Sequence, residues 1–78
     1  MDIHETAELV RVRSLAQRGT ARRIRLKAGL SHAEIASPVG VTPATICRWE
    51  LGERRPRGAA ALRYLELLDA LSGAKSSV

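Results

Sequence analysis

Two helix-start signals eleven residues apart, with a glycine between them, constrain the fold of this chain more than any other feature. Ser31 and Glu34 have the S-x-x-E spacing of a capping box, in which each side chain binds the other residue's backbone N–H. Thr42 followed by Pro43 marks a second start, with threonine as the N-cap and proline at the first helical position. Gly40 can adopt the left-handed conformation of a tight turn. The stretch therefore predicts two short helices, over 32–37 and 43–51, joined by a turn.

The residues inside these helices predict how the two helices pack. Ala36 is small enough for the second helix to cross close to the first, and Ile35 and Ile46 are expected to face inward. Trp49 invites an interpretation as a base-stacking residue, but its position three residues after Ile46 favours the core. Pro38 lacks an N–H and is expected to end or tighten the first helix early. Two short helices with this turn form a helix-turn-helix motif.

The rest of the chain also predicts helices, and no strand pattern occurs. A helix is expected over 5–17, and residues 20–28 either continue it as one bent helix or form a second helix after Gly19. A loop, GERRPRG at 52–58, precedes a leucine-rich helix over about 58–72. We therefore expect an all-α fold of four or five helices. The expected organisation is an N-terminal helical extension (1–19), a helix-turn-helix domain (20–72, with its unit at 32–51) and a flexible tail (73–78).

Basic charge is concentrated in the first two thirds of the sequence. Residues 11–57 hold eleven lysines and arginines against three glutamates, whereas the remaining residues carry a net negative charge. Such a segment fits a polyanion, because cations that displace counterions from phosphates gain affinity from ion release. A role in solubility alone is the alternative.

Several function classes have no support in the sequence. Cys47 is the single cysteine, so no internal disulfide is possible, and with His4 and His32 it cannot supply an ordinary zinc ligand set. Cys47 is interpreted as a bystander thiol, with a redox switch as the alternative. No membrane span, signal peptide or catalytic constellation is apparent. We expect no enzymatic activity, metal, cofactor, small-molecule ligand or membrane association.

Four segments carry a resemblance to a known family. They are R-x-x-A-G-L-S at 25–31, A-E-I-A at 33–36, G-V-T at 40–42 and T-I-C-R-W-E-L-G-E-R-R-P-R at 45–57. Through them, the chain resembles the helix-turn-helix DNA-binding family of phage repressors and Cro proteins (XRE-type regulators). The resemblance implies a repressor-like fold that binds double-stranded DNA, usually as a two-fold dimer on a near-palindromic operator.

The resemblance also assigns roles to individual residues. Helix 43–51 becomes the recognition helix, with base contacts from Pro43, Ala44, Thr45 and Arg48. Arg48 is the main candidate for reading a guanine, and a second phosphate arm is its alternative. A structural ion pair is implied between Arg25 and Glu50. The implied core of the motif consists of Ile35, Ala36, Gly40, Ile46 and Trp49.

Contacts to the DNA backbone are implied at helix N-termini and at basic residues around the motif. They are Ser31, His32, Thr42, Arg54, Arg55, Arg57, Arg22 and Arg23. His32 is equally compatible with a solvated helix start, and Arg57 with a minor-groove contact. The remaining arginines before residue 20, which are Arg11, Arg13 and Arg18, are interpreted as a solvated face, with flanking DNA as the alternative.

The expected function is sequence-specific regulation of transcription in the cytoplasm of a bacterial host. A Cro-like repressor or another small phage or bacterial repressor fits best, acting as a homodimer at least on DNA, at an operator that is an inverted repeat. The alternative is an antitoxin, which also binds its own promoter. Its main partner is then a toxin protein that binds residues 1–19.

Overall fold

A computed structural model describes residues 1–73 of the chain, and these residues form five α-helices. The helices are α1 (Ile3–Gln17), α2 (Thr20–Lys27), α3 (His32–Val39), α4 (Pro43–Leu51) and α5 (Gly58–Ser72). No strand occurs in the described part, and the expected all-α class is confirmed. Of the predicted tail, Gly73 caps α5, and residues 74–78 lie outside the described residues.

Side-chain caps set the starts of three helices. The Ser31 capping box and the Thr42 cap before Pro43 are both present, so these two predicted starts are confirmed. α1 begins at Ile3, two residues earlier than predicted, because Asp2 and Glu5 form another capping box. The Asp2 carboxylate accepts from the Glu5 N–H at 2.7 Å, and the Asp2 N–H donates to the Glu5 carboxylate at 3.1 Å.

Glycine separates α1 from α2. Gly19 has a φ of 81°, in the left-handed region that ends a helix, so α1 and α2 are two helices and not one bent helix.

Pro38 was expected to end α3 early or to tighten it, and the early end is not observed, whereas the Gly40 N–H also donates to the Ser37 carbonyl at 3.3 Å, as in a tightened last turn. α3 continues through Pro38 to Val39. The proline removes one N–H in the last turn, and the last carbonyls of the helix find donors beyond it. The N–H groups of Gly40 and Val41 both donate to the Ala36 carbonyl, at 2.8 and 3.2 Å. Arg63 of α5 also donates, through Nε, to the Val39 carbonyl at 2.9 Å.

The core draws buried side chains from all five helices. Its apolar members are Val12, Ala16, Ala21, Ile35, Ala36, Val39, Ile46, Trp49, Ala61, Tyr64, Leu65 and Leu68. The rings of Trp49 and Tyr64 lie 5.0 Å apart between centroids, which fixes α4 against α5. Trp49 is only 4% exposed and is therefore a core residue.

Residues 1–19 contain α1, which packs on the other helices and contributes to the core. α1 packs against α2, α4 and α5, and Val12 and Ala16 are buried among the core side chains. Arg11 adds a two-bond ion pair to Asp69 of α5, at 2.9 and 2.6 Å. The expected boundary after residue 19 falls at the turn between α1 and α2, and the division into domains stays a prediction.

The helices of residues 1–73 have at most 15 residues. None of them is both long and apolar enough to cross a membrane.

Candidate nucleic-acid interface

One side of α4 is left to solvent while the other is packed. Ile46 and Trp49 are buried, whereas Pro43, Ala44 and Arg48 are exposed. Both apolar side chains point into the core, so the outward side presents small groups and a single guanidinium, with Leu51 exposed at the end of the helix. A helix with this outward surface can approach the floor of a DNA groove closely.

Thr42 and Thr45 are tied to each other at the start of α4. The Thr42 hydroxyl accepts from the Thr45 N–H at 3.2 Å and lies 2.9 Å from the Thr45 hydroxyl. Thr45 is half-buried. These bonds hold the Thr45 side chain in one orientation beside Arg48.

The loop after α4 is anchored at one residue. Pro56 is fully buried, and the arginines before and after it, Arg55 and Arg57, are exposed. The loop begins with the Glu53 N–H donating 2.9 Å to the Arg48 carbonyl, which closes the end of α4. The anchored proline therefore holds neighbouring arginines at the surface.

These elements enclose an open cleft of about 520 Å³, which we call the arginine cleft. Its lining residues are Arg13, Val41, Thr45, Arg48, Trp49, Arg54, Arg55, Arg57 and Ala60. Of the predicted contacts, Thr45, Arg48, Arg54, Arg55 and Arg57 are brought together here. Five guanidiniums with no carboxylate among the lining residues make the cleft strongly electropositive.

Four of these guanidiniums have no partner within residues 1–73. No ion pair or side-chain hydrogen bond joins the side chains of Arg48, Arg54, Arg55 or Arg57 to another described group. Arg57 is also the N-cap of α5 but gives that helix no side-chain cap bond. The positive end of the α5 dipole therefore adds to the field of the cleft.

Arg13 also lines this cleft, although contact with flanking DNA was only the alternative interpretation for it. It comes from α1, is half-buried, and donates from Nε to the Pro56 carbonyl at 2.8 Å. The two residues are 43 positions apart, so no local spacing signals the contact. The interpretation of Arg11 and Arg13 as a solvated face was incomplete, because Arg11 also binds Asp69 and Arg13 also binds the Pro56 carbonyl.

Arg25 and Glu50 form the ion pair that the family resemblance implied. Arg25 Nε and Nη2 donate to the two Glu50 carboxylate oxygens at 2.6 and 3.0 Å, and Arg25 Nη1 donates to the Leu30 carbonyl at 3.0 Å. The Glu50 side chain is 4% exposed. The bond to Glu50 raises the pKa of the Arg25 guanidinium. The pair ties the end of α4 to α2.

His32 adds a third group to this pair. Its Nε2 lies 3.0 Å from a Glu50 carboxylate oxygen, and the imidazole donates because an ionised carboxylate only accepts. Burial works to raise the pKa of the Glu50 carboxyl, but the bonds from Arg25 and His32 outweigh burial and lower it. The sequence assigned His32 to DNA, and no spacing rule links it to a residue 18 positions away.

The other predicted backbone contacts do not line the arginine cleft. The Ser31 N–H donates to the Glu34 carboxylate at 2.8 Å, so it already has an acceptor. The bond to Ser31 lowers the pKa of the Glu34 carboxyl. Arg23 donates to the Thr20 hydroxyl at 3.2 Å, and Arg22 is exposed on the same helix.

The turn between α3 and α4 requires glycine for two reasons. Gly40 has a φ of 83°, which side chains rarely adopt. A Cβ atom placed there would lie 3.1 Å from Nη2 of Arg63, whose Nε holds the Val39 carbonyl. Arg63 therefore secures the turn from α5.

Residues 1–73 contain no cluster of His, Cys, Asp or Glu that could hold a metal ion. Cys47 is a half-buried free thiol in α4.

Comparison with known proteins assigns the chain to a family. Neither the curated proteins nor the solved structures that were searched include a match. Residues 18–76, well over half of the chain, match the model of a family described as a helix-turn-helix domain. That domain implies binding to double-stranded DNA and is typically non-enzymatic. The chain belongs to the helix-turn-helix domain family.

Proposed function

We propose that this protein is a sequence-specific transcription regulator, a Cro-like or other small phage or bacterial repressor that reads an operator with α4. The observation that carries the proposal is the arginine cleft, in which four guanidiniums without a partner in residues 1–73 lie beside the outward side of α4. Unpaired cations at the end of an exposed helix are suited to phosphates flanking a groove.

In this proposal, base reading belongs to the outward residues of α4. Arg48 donates two hydrogen bonds to the major-groove edge of a guanine, which discriminates by about 1–3 kcal/mol. Pro43, Ala44 and Thr45 pack against neighbouring base edges, including thymine methyl groups. The Arg25–Glu50–His32 cluster joins the end of α4 to α2 and to the start of α3, which supports a fixed orientation of the helix.

The DNA backbone is held on both sides of the motif. Arg54, Arg55 and Arg57 bind one strand from the cleft. Ser31, His32, Thr42, Arg22 and Arg23 complete the proposed backbone contacts on the other side of α4. A homodimer on an inverted repeat, in the cytoplasm of a bacterial host, would place two copies of α4 in successive major grooves.

The test is selection of bound sequences from a random double-stranded pool at near-physiological salt. An inverted repeat with half-site centres about 34–36 Å apart is expected. Enrichment of a single half-site would show that the chain binds DNA as a monomer and not as a dimer. If no sequence is enriched and binding vanishes as salt rises, the regulator proposal fails.

A second candidate is an antitoxin, and exposed apolar side chains on α1 favour it. Ile3 and Val10 are 86% and 62% exposed and lie two turns apart on one side of the helix. A toxin would cover this side. Co-expression with the product of an adjacent gene, followed by size-exclusion chromatography, tests the idea, and a partner whose binding is lost in Val10→Asp would support it.

A further inference from the structure

α1 carries three arginines, and they have different environments. Arg11 is held by both oxygens of Asp69. Arg18 is exposed at the end of the helix and does not line the arginine cleft. Of these three, only Arg13 reaches the cleft, which it lines together with Arg48, Arg54, Arg55 and Arg57.

The position of Arg13 is fixed by one of its nitrogens and leaves the others available. Nε donates to the carbonyl of the buried Pro56 at 2.8 Å. The two terminal nitrogens have no acceptor within residues 1–73, and they are not among the buried atoms that lack a partner. A guanidinium anchored in this way presents a rigid pair of donors to solvent.

The surroundings of Arg13 favour an anion as its ligand. A second open cleft of about 460 Å³ adjoins the arginine cleft and shares Arg13, Trp49, Arg54 and Arg55 with it. No carboxylate lines either cleft. Two parallel N–H donors match two oxygens of one phosphodiester. The N-terminal end of α5 lies at the same place, since Ala60 also lines the arginine cleft.

We propose that Arg13 makes α1 part of the DNA interface: Nε holds the loop at Pro56, and the terminal nitrogens bind a backbone phosphate. This inference rests on the proposed DNA-binding function and extends it beyond residues 18–76, which the family match covers. The contact is independent of base sequence. Any duplex therefore reports it, without knowledge of the operator.

The test measures affinity against salt for the full chain and a mixed-sequence duplex of about 20 base pairs, by fluorescence anisotropy. Each phosphate contact contributes about 0.9 to the slope of log K against log salt concentration. Arg13→Gln is expected to lower the slope by about 0.9 and to weaken binding at low salt. Arg18→Gln removes the same charge from the same helix and is expected to leave the slope unchanged.

Arg13→Lys separates the contact from the support of the loop. Lysine keeps a cation near the phosphate but cannot also hold the Pro56 carbonyl with a fixed fork. We expect the wild-type slope with reduced affinity. If Arg13→Gln lowers the salt slope strongly and Arg13→Lys has the same low slope, Arg13 only supports the loop. That result overturns the phosphate contact.

The remaining outcomes distinguish this inference from the function on which it rests. If the wild-type chain does not bind the duplex at low salt, the proposed function fails. If it binds and Arg13→Gln keeps the wild-type slope, only the role of Arg13 fails. NMR of the arginine side chains in the unmodified chain gives a second reading should a variant not fold. The Arg13 guanidinium is expected to shift on duplex addition, and an unchanged signal while Arg54 shifts overturns the inference.

Discussion

At the scale of single residues, Arg48 is the side chain that separates base reading from general affinity. It is exposed on α4 and has no partner within the described residues. Arg48→Ala is expected to cost about 1–3 kcal/mol of binding free energy and to blur the preference at one base pair. Repeating the selection from a random pool with this variant measures the change.

Arg55→Ala is the matched control for Arg48. It removes the same charge from the arginine cleft, but from the loop and not from α4. All sequences should weaken alike, and the salt slope should fall by about one. A sequence-selective loss in Arg55→Ala, or an unchanged preference in Arg48→Ala, would reverse these two roles.

Glu50 predicts how the stability of the fold depends on pH. Its carboxyl has a lowered pKa in the folded chain because, despite burial, Arg25 and His32 donate to it. Such a group stabilises the fold above its unfolded pKa, about 4.3, and loses that contribution as pH falls through the folded value. Glu50→Gln is expected to cost about 3 kcal/mol of unfolding free energy at neutral pH. Urea denaturation between pH 3 and 7 should show the difference from wild type shrinking towards the acid end.

Glu53→Gln provides the comparison for Glu50. Glu53 is exposed in the loop after α4, and no ion pair joins it to another residue of the described chain. The same chemical change should alter the unfolding free energy by less than about 0.5 kcal/mol. Equal losses at both positions would show that the cluster around Glu50 adds no stability.

Some contacts of single residues could be predicted from the sequence, and others could not. Arg25 and Glu50 could be paired because the family resemblance relates their positions. His32 and Arg13 could not, because their partners lie 18 and 43 residues away and no spacing rule connects them. Contacts between side chains distant in sequence depend on how helices cross, which residue patterns do not specify.

At the scale of elements, the turn between α3 and α4 can be tested at Gly40. Alanine there takes a strained φ and also pushes against Arg63. Gly40→Ala is expected to destabilise the fold by about 1–3 kcal/mol, because strain and a disturbed Arg63–Val39 bond add. Thermal unfolding followed by circular dichroism measures the loss.

Gly29→Ala isolates the strain at a comparable backbone conformation. Gly29 has a φ of 74°, and a Cβ added there would meet nothing within 4 Å. Gly29→Ala should lower the unfolding free energy by about 1 kcal/mol, which is the cost of the strained backbone alone. Gly40→Ala combined with Arg63→Ala then shows whether the excess at Gly40 comes from the contact. If Gly40→Ala lowers the unfolding free energy no more than Gly29→Ala does, the contact with Arg63 makes no contribution.

Helix bounds were predictable where a cap signalled them. The starts of α3 and α4 followed from Ser31 and Thr42, since a cap is a local signal. The end of α3 was not predictable from Pro38, because the bonds that close its last turn include one from Arg63 on another helix.

At the scale of the whole molecule, the place of α1 in the core is testable at Val12. This side chain is fully buried among residues of the core. Val12→Ala removes two carbon atoms and leaves a cavity, so we expect a loss of about 2 kcal/mol. The shift should appear equally in Trp49 fluorescence and in helical circular dichroism, because one cooperative unit unfolds.

Val10→Ala is the control on the same helix. Val10 is mostly exposed, so its truncation should change stability by less than about 0.5 kcal/mol. If Val12→Ala left the Trp49 transition in place, α1 would be the separate extension that the sequence predicted. The packing of α1 was not predictable, because the family resemblance began after α1 and no periodic pattern shows what a helix packs against.

The pairing of the first and last helices has a consequence for synthesis. Arg11 and Asp69 are 58 residues apart, and α1 completes a core to which α5 contributes Tyr64, Leu65 and Leu68. A nascent chain that has exposed only α1 to α4 therefore lacks the surface on which these helices close. The arginines are translated before that surface exists. We therefore expect the chain to fold after α5 has emerged from the ribosome. Only then is α4 ordered and able to bind DNA.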